Sequence, residues 1–213
     1  MRLDQERRSI VEYGKRLITS QLTTGTGGNL SIYNRAEGLV AIKPNGVPYL
    51  EMNEDDIVVV DLDGQVVEGK HKPSSEVNIH IGLYKLRADI QAVVHTHQVY
   101  ATTIACLNWE LPAVHYVIGL AGDKVPLAPY ATYGSKELSE NVINSIGDYN
   151  ACLMANHGLV TVGRDIASAF AIAEQIEFVS RLYYQAKCIG DPVILSDEQM
   201  LIVTKKFKIH DSV

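Results

Sequence analysis

Two histidines, His95 and His97, have a spacing that suits a single metal ion. They follow the β-branched residues Val93 and Val94, so residues 92–96 are predicted to form a strand. Side chains at positions i and i+2 of a strand share one face, so both imidazoles are expected to point the same way. The alternative is an accidental His-x-His pair on a half-buried strand.

A third imidazole is expected from His157. It lies in the turn Asn156-His157-Gly158, at the end of an apolar, strand-like run over residues 151–155. Three histidines would leave the fourth coordination position of a zinc ion open, which is the catalytic pattern, whereas structural zinc sites are closed by four ligands. The sequence therefore predicts a catalytic metal site.

A carboxylate, Glu76, directly follows Pro73-Ser74-Ser75. We predict a helix from Ser75, with Ser74 or Ser75 as its N-cap and Glu76 in the first turn. A carboxylate there could fill the fourth coordination position or leave it to move a proton. The alternative is an acidic side chain that is merely favoured by the helix dipole.

Three loops of small residues, at 24–29, 43–46 and 73–75, are candidates for binding an anion. Glycines let backbone N–H groups approach an anion closely, and a helix N-terminus offers free N–H groups. Each loop alone is an ordinary turn or cap. Beside a metal site, together they predict a cradle for the phosphate of a small substrate, with Lys43 orienting substrate or phosphate.

Composition favours one domain spanning residues 1–213, since the chain has 213 residues of which 46% are hydrophobic. The net charge of -6 argues against nucleic acid as a partner. The charged first residues and the lack of a long apolar stretch predict no membrane association and a cytoplasmic location. Cys106, Cys152 and Cys188 are predicted to be reduced, buried thiols.

Hydrophobic periodicity predicts helices at 4–22, from 75, at 135–146 and at 165–187, and a last helix opened by a Ser196-x-x-Gln199 capping box. Strands are predicted at 38–42, 57–62, 92–96, 113–118, 125–128, 151–155 and 159–162, with Asp63-Gly64 as a hairpin turn. His80 lies on an apolar helix face and is predicted to be a core histidine. The expected fold is α/β or α+β, with a mixed sheet covered by helices.

These motifs together resemble the class II aldolase family, which includes L-ribulose-5-phosphate 4-epimerase, L-fuculose-1-phosphate aldolase and the adducin head. The resemblance extends from the segment at 24–31 to Asp191-Pro192 and residues 195–198. Residues 112–116 and 128–134 are most similar to the fuculose-phosphate aldolases. The family fold is a single domain with a mixed, mostly antiparallel sheet in three layers.

The resemblance implies one zinc ion on His95, His97 and His157, with Glu76 as the fourth ligand at rest and the proton shuttle in turnover. It implies a homotetramer in which Tyr116 enters the active site of a neighbouring subunit and acts as a catalytic residue. It also implies that the phosphate is bound by Gly28, Asn29, Asn45, Gly46, Ser74 and Ser75.

The reaction implied is the reversible cleavage of L-fuculose 1-phosphate to dihydroxyacetone phosphate and L-lactaldehyde. The open alternatives are an aldolase for a related ketose phosphate, an epimerase, a metal-free scaffolding module of the adducin type, and an oligomer with a structural zinc. Glu76 and Val117 stand where the epimerases carry aspartates, which disfavours the epimerase. The chain ends at 207–213 without the tyrosine expected of the aldolases, and His210 is a possible substitute.

Overall fold

The computed structural model describes the backbone of residues 1–210 and the side chains of residues 1–207. Its helices are α1 (Asp4–Thr19), α2 (Val77–Leu86), α3 (Val99–Cys106), α4 (Lys136–Ile146), α5 (Ile166–Ile189) and α6 (Asp197–His210). Its strands are β1 (Asn29–Asn34), β2 (Leu39–Ile42), β3 (Val58–Asp61), β4 (Val66–Glu68), β5 (Ala92–Thr96), β6 (Leu127–Ala128), β7 (Ala151–Met154) and β8 (Gly158–Gly163). The proposed substitute His210 lies outside the described side chains, as do residues 211–213 altogether.

One sheet of eight strands, in the order β4-β3-β2-β1-β5-β8-β7-β6, runs through the molecule. Neighbouring strands are antiparallel except for the parallel pair of β6 and β7. This confirms the mixed, mostly antiparallel sheet. The central strands β1, β5 and β8 carry or adjoin the predicted metal ligands.

Helices cover both faces of the sheet, because alternate residues of the buried strands point to opposite sides. One core joins Val94 of β5 and Leu159 of β8 to residues of α1, α3 and α5. The other joins Val93 and Val160 of the same two strands to residues of α2 and α4. The fold is therefore a three-layer α/β domain, as predicted.

Most predicted elements are confirmed, because their periodicity and caps are local properties of the sequence. Ser135 caps α4 through its side chain, and Ser196 and Gln199 form the reciprocal bonds of a capping box. Gly64, at a φ of 80°, lies in the turn between β3 and β4. The hairpin of β7 and β8 brackets His157.

The structure requires four corrections. The predicted strand at 113–118 is wrong: Tyr116–Leu120 is a 3₁₀ helix, and the side chain of His115 caps it by accepting from the Val117 N–H. The predicted helix from Ser75 begins later, at Val77. Its N-cap is Glu76, since a turn bonds the Val77 N–H to the Ser74 carbonyl.

The other two corrections concern the cysteines and α3. Cys106 and Cys188 are exposed, since each lies near the end of a helix, whereas Cys152 is free and buried as predicted. Helix α3 was not predicted, because its apolar side chains do not form a single stripe. Among the described residues, no helix is both long and apolar enough to cross a membrane.

Candidate metal centre and active site

The three predicted histidines converge at one point of the sheet. His95 lies on β5, His97 directly follows that strand, and His157 lies in the turn between β7 and β8. One nitrogen from each imidazole can be chosen so that all three lie within 4.8 Å of one another. The Nε2 atoms of His95 and His97 are 3.0 Å apart. The strand geometry predicted for the His-x-His pair therefore holds.

The tautomer of His95 suits a metal ligand. Its Nδ1–H donates to the Leu159 carbonyl of β8 at 2.8 Å, so Nε2 carries the lone pair that faces the other histidines. The turn that presents His157 contains Asn156 in the left-handed region, at a φ of 54°. Asparagine tolerates this conformation better than most residues with a side chain. The hairpin thus positions one ligand and orients another.

Glu76 completes the cluster. Its Oε2 lies 3.3 Å from His95 Nε2, and its Oε1 lies 3.3 Å from His157 Nε2. Asn29 Nδ2 donates to Oε2 at 2.9 Å, whereas Oε1 is buried and no described group forms a hydrogen bond to it. A buried, unsatisfied carboxylate oxygen is costly unless a cation or a proton donor faces it.

These distances fit a tetrahedral metal ion. Four ligands at roughly 2.0–2.1 Å from a zinc ion are separated from one another by roughly 3.3 Å. His95 Nε2 lies 3.0 Å from His97 Nε2 and 3.3 Å from Glu76 Oε2, and His157 Nε2 lies 3.3 Å from Glu76 Oε1. Three imidazole nitrogens and one carboxylate oxygen are also a donor set that suits zinc. The residues can therefore hold a divalent metal.

The histidines are held in the neutral, metal-binding form. Burial, followed by the neighbouring His97 and His157, keeps the pKa of His95 well below its usual range. Burial also lowers the pKa of His97 and of His157, and the Glu76 carboxylate opposes this effect in both. A neutral imidazole has a free lone pair, so no proton has to leave before a metal binds.

The small-residue loops meet beside the histidines around a cavity of about 150 Å³. All three predicted anion-binding loops contribute to it. Two glycines of the first loop pack directly against the metal ligands: a Cβ on Gly27 would lie 2.9 Å from His97 Nδ1, and one on Gly28 would lie 2.5 Å from the His95 carbonyl oxygen. The cavity is lined by Thr26, Gly27, Gly28, Asn29, Lys43, Pro44, Asn45, Ser74, Ser75, Glu76, His97, Tyr133 and His157.

Lys43 links the first two of these loops, at 24–29 and 43–46, through hydrogen bonds. Its ammonium donates to the Pro44 carbonyl at 3.0 Å and to the Thr26 carbonyl at 3.5 Å, and it lies over the ring of Tyr49. Burial lowers the pKa of Lys43 to about 8. Tyr49 donates in turn to the Gly27 carbonyl at 3.1 Å. The lysine therefore places a positive charge at the wall of the predicted phosphate site.

Two predicted site residues are not part of this lining. Gly46 adopts a φ of 70° and shapes the turn after Asn45 without lining the cavity. Tyr116 is half exposed, and its ring stacks on that of Phe207 with the ring centroids 6.4 Å apart. It lies outside the lining of the cavity in its own chain.

Sequence reasoning did not single out Tyr133. The turn containing Tyr133 and Gly134 approaches the third loop, at 73–75, closely, since a Cβ on Gly134 would lie 3.2 Å from the Ser75 carbonyl oxygen. Gly134 has a φ of 73°, so a glycine flanked by aromatic and polar residues was the available signal. A larger cavity of about 810 Å³ lies elsewhere, against α6, and contains none of the four clustered residues.

Fold and site together define a three-layer α/β protein in which three histidines and a carboxylate can hold a metal ion beside a cavity lined by three small-residue loops. The chain belongs to the family described as "Class II Aldolase and Adducin N-terminal domain", whose pattern matches residues 8–184. It is an enzyme of the class II aldolase type, a family of metal-dependent lyases.

Several known proteins are similar over almost the whole chain. A 5-deoxy-D-ribulose 1-phosphate aldolase from Bacillus thuringiensis serovar kurstaki is 51% identical over 208 residues, covering 98% of each chain. An L-fuculose phosphate aldolase from Escherichia coli K12 is 39% identical over 205 residues, covering 95% of this chain and 94% of the relative. A solved L-fuculose 1-phosphate aldolase superposes with a TM-score of 0.96 at 45% identity, covering 98% of each chain.

Proposed function

We propose that this enzyme cleaves a ketose 1-phosphate between C3 and C4, giving dihydroxyacetone phosphate and a short aldehyde. The proposal rests on the observation that two features meet at one cavity. The first is the cluster of His95, His97, His157 and Glu76, and the second is the cradle formed by the three small-residue loops. A substrate with a carbonyl near a phosphate would reach both.

Zinc is the metal we propose for the three histidines and Glu76. When bound, it would act as a Lewis acid toward the substrate carbonyl and stabilise the negative charge that develops there. The cradle would hold the phosphate through Gly28, Asn29, Asn45, Ser74 and Ser75, with the charge of Lys43 at its wall. Gly46 would shape the turn. Because the cradle would hold the phosphate on C1 and the metal would hold the carbonyl at C2, the site would orient the bond between C3 and C4 that breaks.

Two proton transfers accompany the cleavage. A base takes the proton from the hydroxyl on C4, and the bonding electrons between C3 and C4 move toward the carbonyl as the aldehyde forms. Glu76, in its protonated form, then delivers a proton to C3, which completes dihydroxyacetone phosphate; solvent takes up the proton held by the base and protonates Glu76 again. We assign the first transfer to Tyr116 of a neighbouring subunit, because within its own chain this side chain is half exposed and lies outside the cavity lining.

The substrate we propose first is 5-deoxyribulose 1-phosphate, which would give acetaldehyde as the second product. The relative with that activity in its name shares 51% of its residues with this chain, against 39% for an L-fuculose phosphate aldolase. L-fuculose 1-phosphate, expected from the sequence, is the second candidate, because the solved L-fuculose 1-phosphate aldolase has a TM-score of 0.96. Both sugars are ketose 1-phosphates with a terminal methyl group.

Product analysis tests the proposal. Each sugar phosphate is incubated separately with zinc-loaded protein, and dihydroxyacetone phosphate and the aldehyde are quantified together. Equal amounts of triose phosphate and aldehyde would support the aldolase, and the ratio of kcat/KM values would rank the two substrates. Conversion to a stereoisomeric sugar phosphate without free triose phosphate would instead establish an epimerase.

A further inference from the structure

A line of buried polar side chains leads from Glu76 into the protein, and the proposed chemistry does not use its middle member, His80. Glu76 is the N-cap of α2, and His80 and Tyr84 follow it in that helix at intervals of four residues. Asn29 and Ser31 share one face of β1. Their exposed fractions are 6% for Glu76, 3% for Asn29, 2% for Tyr84 and 0% for His80 and Ser31. We call Asn29, His80, Ser31 and Tyr84 the Glu76 relay.

Hydrogen bonds connect every member of the relay. Asn29 Nδ2 donates to Glu76 Oε2 at 2.9 Å, and Asn29 Oδ1 contacts His80 Nε2. His80 Nδ1 and Ser31 Oγ are 2.7 Å apart, as are Ser31 Oγ and the Tyr84 hydroxyl. The single proton of the Tyr84 hydroxyl is shared between Ser31 Oγ and the Ser31 carbonyl, which lies 3.0 Å from the hydroxyl oxygen.

The chemistry of each group sets the direction of these bonds. A carboxylate accepts, so the amide nitrogen of Asn29 faces Glu76 and its carbonyl oxygen faces His80. That oxygen also only accepts, so His80 carries its proton on Nε2. Burial lowers the pKa of His80 to about 3, so the ring is neutral and its Nδ1 accepts from the Ser31 hydroxyl. All three bonds from Ser31 to Glu76 therefore point toward the carboxylate, and each strengthens the next.

We propose that His80 is a positioning residue, which acts through Asn29 to hold Oε2 of Glu76 so that Oε1 stays directed at His157. The inference rests on the proposed function, since it assigns Glu76 the proton transfer. Oε2 accepts from Asn29 and lies 3.3 Å from His95 Nε2, whereas Oε1 has no hydrogen-bond donor among the described residues and lies 3.3 Å from His157 Nε2. The relay thus distinguishes two oxygens that are chemically identical in free glutamate.

The competing view is a core histidine that only fills space and is satisfied by Ser31. Such a residue would affect stability without affecting the proton transfer selectively. The two views differ in what a substitution does to kcat, to KM and to the metal geometry, so these quantities form the test.

The primary test compares His80→Gln with His80→Met. Glutamine can place an N–H near the position of Nε2 and donate to Asn29, whereas methionine fills the volume without donating. We expect His80→Met to lower kcat about 10- to 100-fold with KM within about twofold, and His80→Gln to recover most of that loss. Equal losses in the two variants, or a change confined to KM, would overturn the proposal.

A double-variant comparison tests whether His80 acts through Glu76. In a Glu76→Gln background the relay has no proton-transferring carboxylate to position, so adding His80→Met should change the residual kcat by less than about twofold. A further loss as large as that in the wild-type background would contradict the proposal. If His80→Met does not fold, Tyr84→Phe takes its place in both comparisons. This variant removes the hydroxyl at the far end of the relay, and we expect it to lower kcat by a smaller factor of about 3- to 10-fold.

The visible spectrum of the cobalt-loaded protein separates this inference from the proposed function. Cobalt(II) reports the geometry of its ligands, so a displaced Glu76 should shift the bands in His80→Met and not in His80→Gln. Cobalt affinity, measured by titration, should fall in parallel. If the wild type cleaves no ketose 1-phosphate, the proposed function fails, while an unchanged spectrum in His80→Met would refute the relay by itself.

Discussion

At the scale of single residues, the surroundings of Glu76 explain how one carboxylate can serve both a metal and a proton. Its Oε2 is tied to Asn29, and its Oε1 is buried without a described hydrogen-bond donor. A group held at one atom can leave a metal with the other while losing little position. We expect the three histidines to supply most of the metal binding, so that the charge of the Glu76 carboxylate is needed mainly for proton transfer.

We therefore predict that Glu76→Gln retains bound metal and loses about 10²- to 10⁴-fold in kcat, which is the usual contribution of general acid and base catalysis. Metal content is measured by elemental analysis, and kcat by release of dihydroxyacetone phosphate. Glu12→Gln, at an exposed position of α1, is the matched control and should behave as wild type. Unchanged turnover in Glu76→Gln would refute the assignment.

Lys43 gives a pH dependence at the same scale. Its pKa is about 8, so the ammonium loses its charge as the pH rises through that value. We expect KM for a ketose 1-phosphate to be constant below about pH 7.5 and to rise above about pH 8.5, by at most about tenfold per pH unit. Lys43→Met should have a high KM that does not change over this range. A wild-type KM that stays flat to about pH 9.5 would contradict the role of the lysine.

The sequence predicts the positions of some site residues better than those of others. The convergence of His95 and His97 follows from strand periodicity, and the nearby serines and glycines follow from turn chemistry. The bond from Asn29 to Glu76 joins residues 47 positions apart and depends on how α2 packs across β1. The recurrence of Glu76, His80 and Tyr84 every four residues was visible, yet His80 was assigned only to the core.

At the scale of elements, the pairing of β5 with β8 builds the metal centre. His95 pairs with Val160, and its ring bonds to the neighbouring Leu159 carbonyl, so the distance between the two strands sets the orientation of the ligand. Gly158 allows this approach: a Cβ there would lie 2.3 Å from the Thr96 carbonyl oxygen and 3.0 Å from His97 Cδ2. The turn after β7 was predicted, whereas this close contact depends on tertiary packing.

Gly158→Ala is accordingly expected to push β8 away from β5 at the ligands. We predict a loss of about 1–3 kcal/mol in the free energy of unfolding, as for overpacked sites, and a fall of at least about tenfold in metal affinity. Gly190→Ala is the matched control, because its backbone is extended and no described atom lies within 4 Å of the added Cβ. Wild-type metal affinity in Gly158→Ala would show that the strand contact does not control the site.

At one element, the structure predicted from the sequence pattern is wrong. The segment at 113–118, which follows Pro112, was predicted as a strand. The chain instead forms a 3₁₀ helix at Tyr116–Leu120, which His115 caps and α6 packs against. A side chain that bonds to a nearby backbone N–H competes with strand pairing. This local choice is what leaves Tyr116 at the surface rather than within the sheet.

At the scale of the whole molecule, a single chain supplies the metal centre and the cradle but does not bring Tyr116 into the cavity lining. The proposed homotetramer with shared active sites would supply it from a neighbour. The exposed rings of Tyr116 and Phe178, which both contact His115, suit an interface between subunits. Sequence patterns do not reveal which surface is covered by a second copy.

Mixed oligomers test this arrangement. Glu76→Gln and Tyr116→Phe are each expected to be nearly inactive alone. If each site takes Glu76 from one subunit and Tyr116 from the next, random mixing in equal amounts restores about a quarter of wild-type activity, since each of two independent residues is intact half the time. Subunits are mixed by coexpression and purified through two affinity tags. Mixed oligomers without activity would place both residues in the same chain.

Metal-dependent aldol cleavage is checked by measuring release of dihydroxyacetone phosphate from 5-deoxyribulose 1-phosphate and from L-fuculose 1-phosphate, before and after a chelator removes the metal. We predict that the metal-free protein stays folded, loses essentially all cleavage of the preferred sugar phosphate, and recovers it on addition of one equivalent of zinc per chain. Cleavage that persists in folded, metal-free protein, or no cleavage of either sugar by the zinc-loaded protein, would contradict the account.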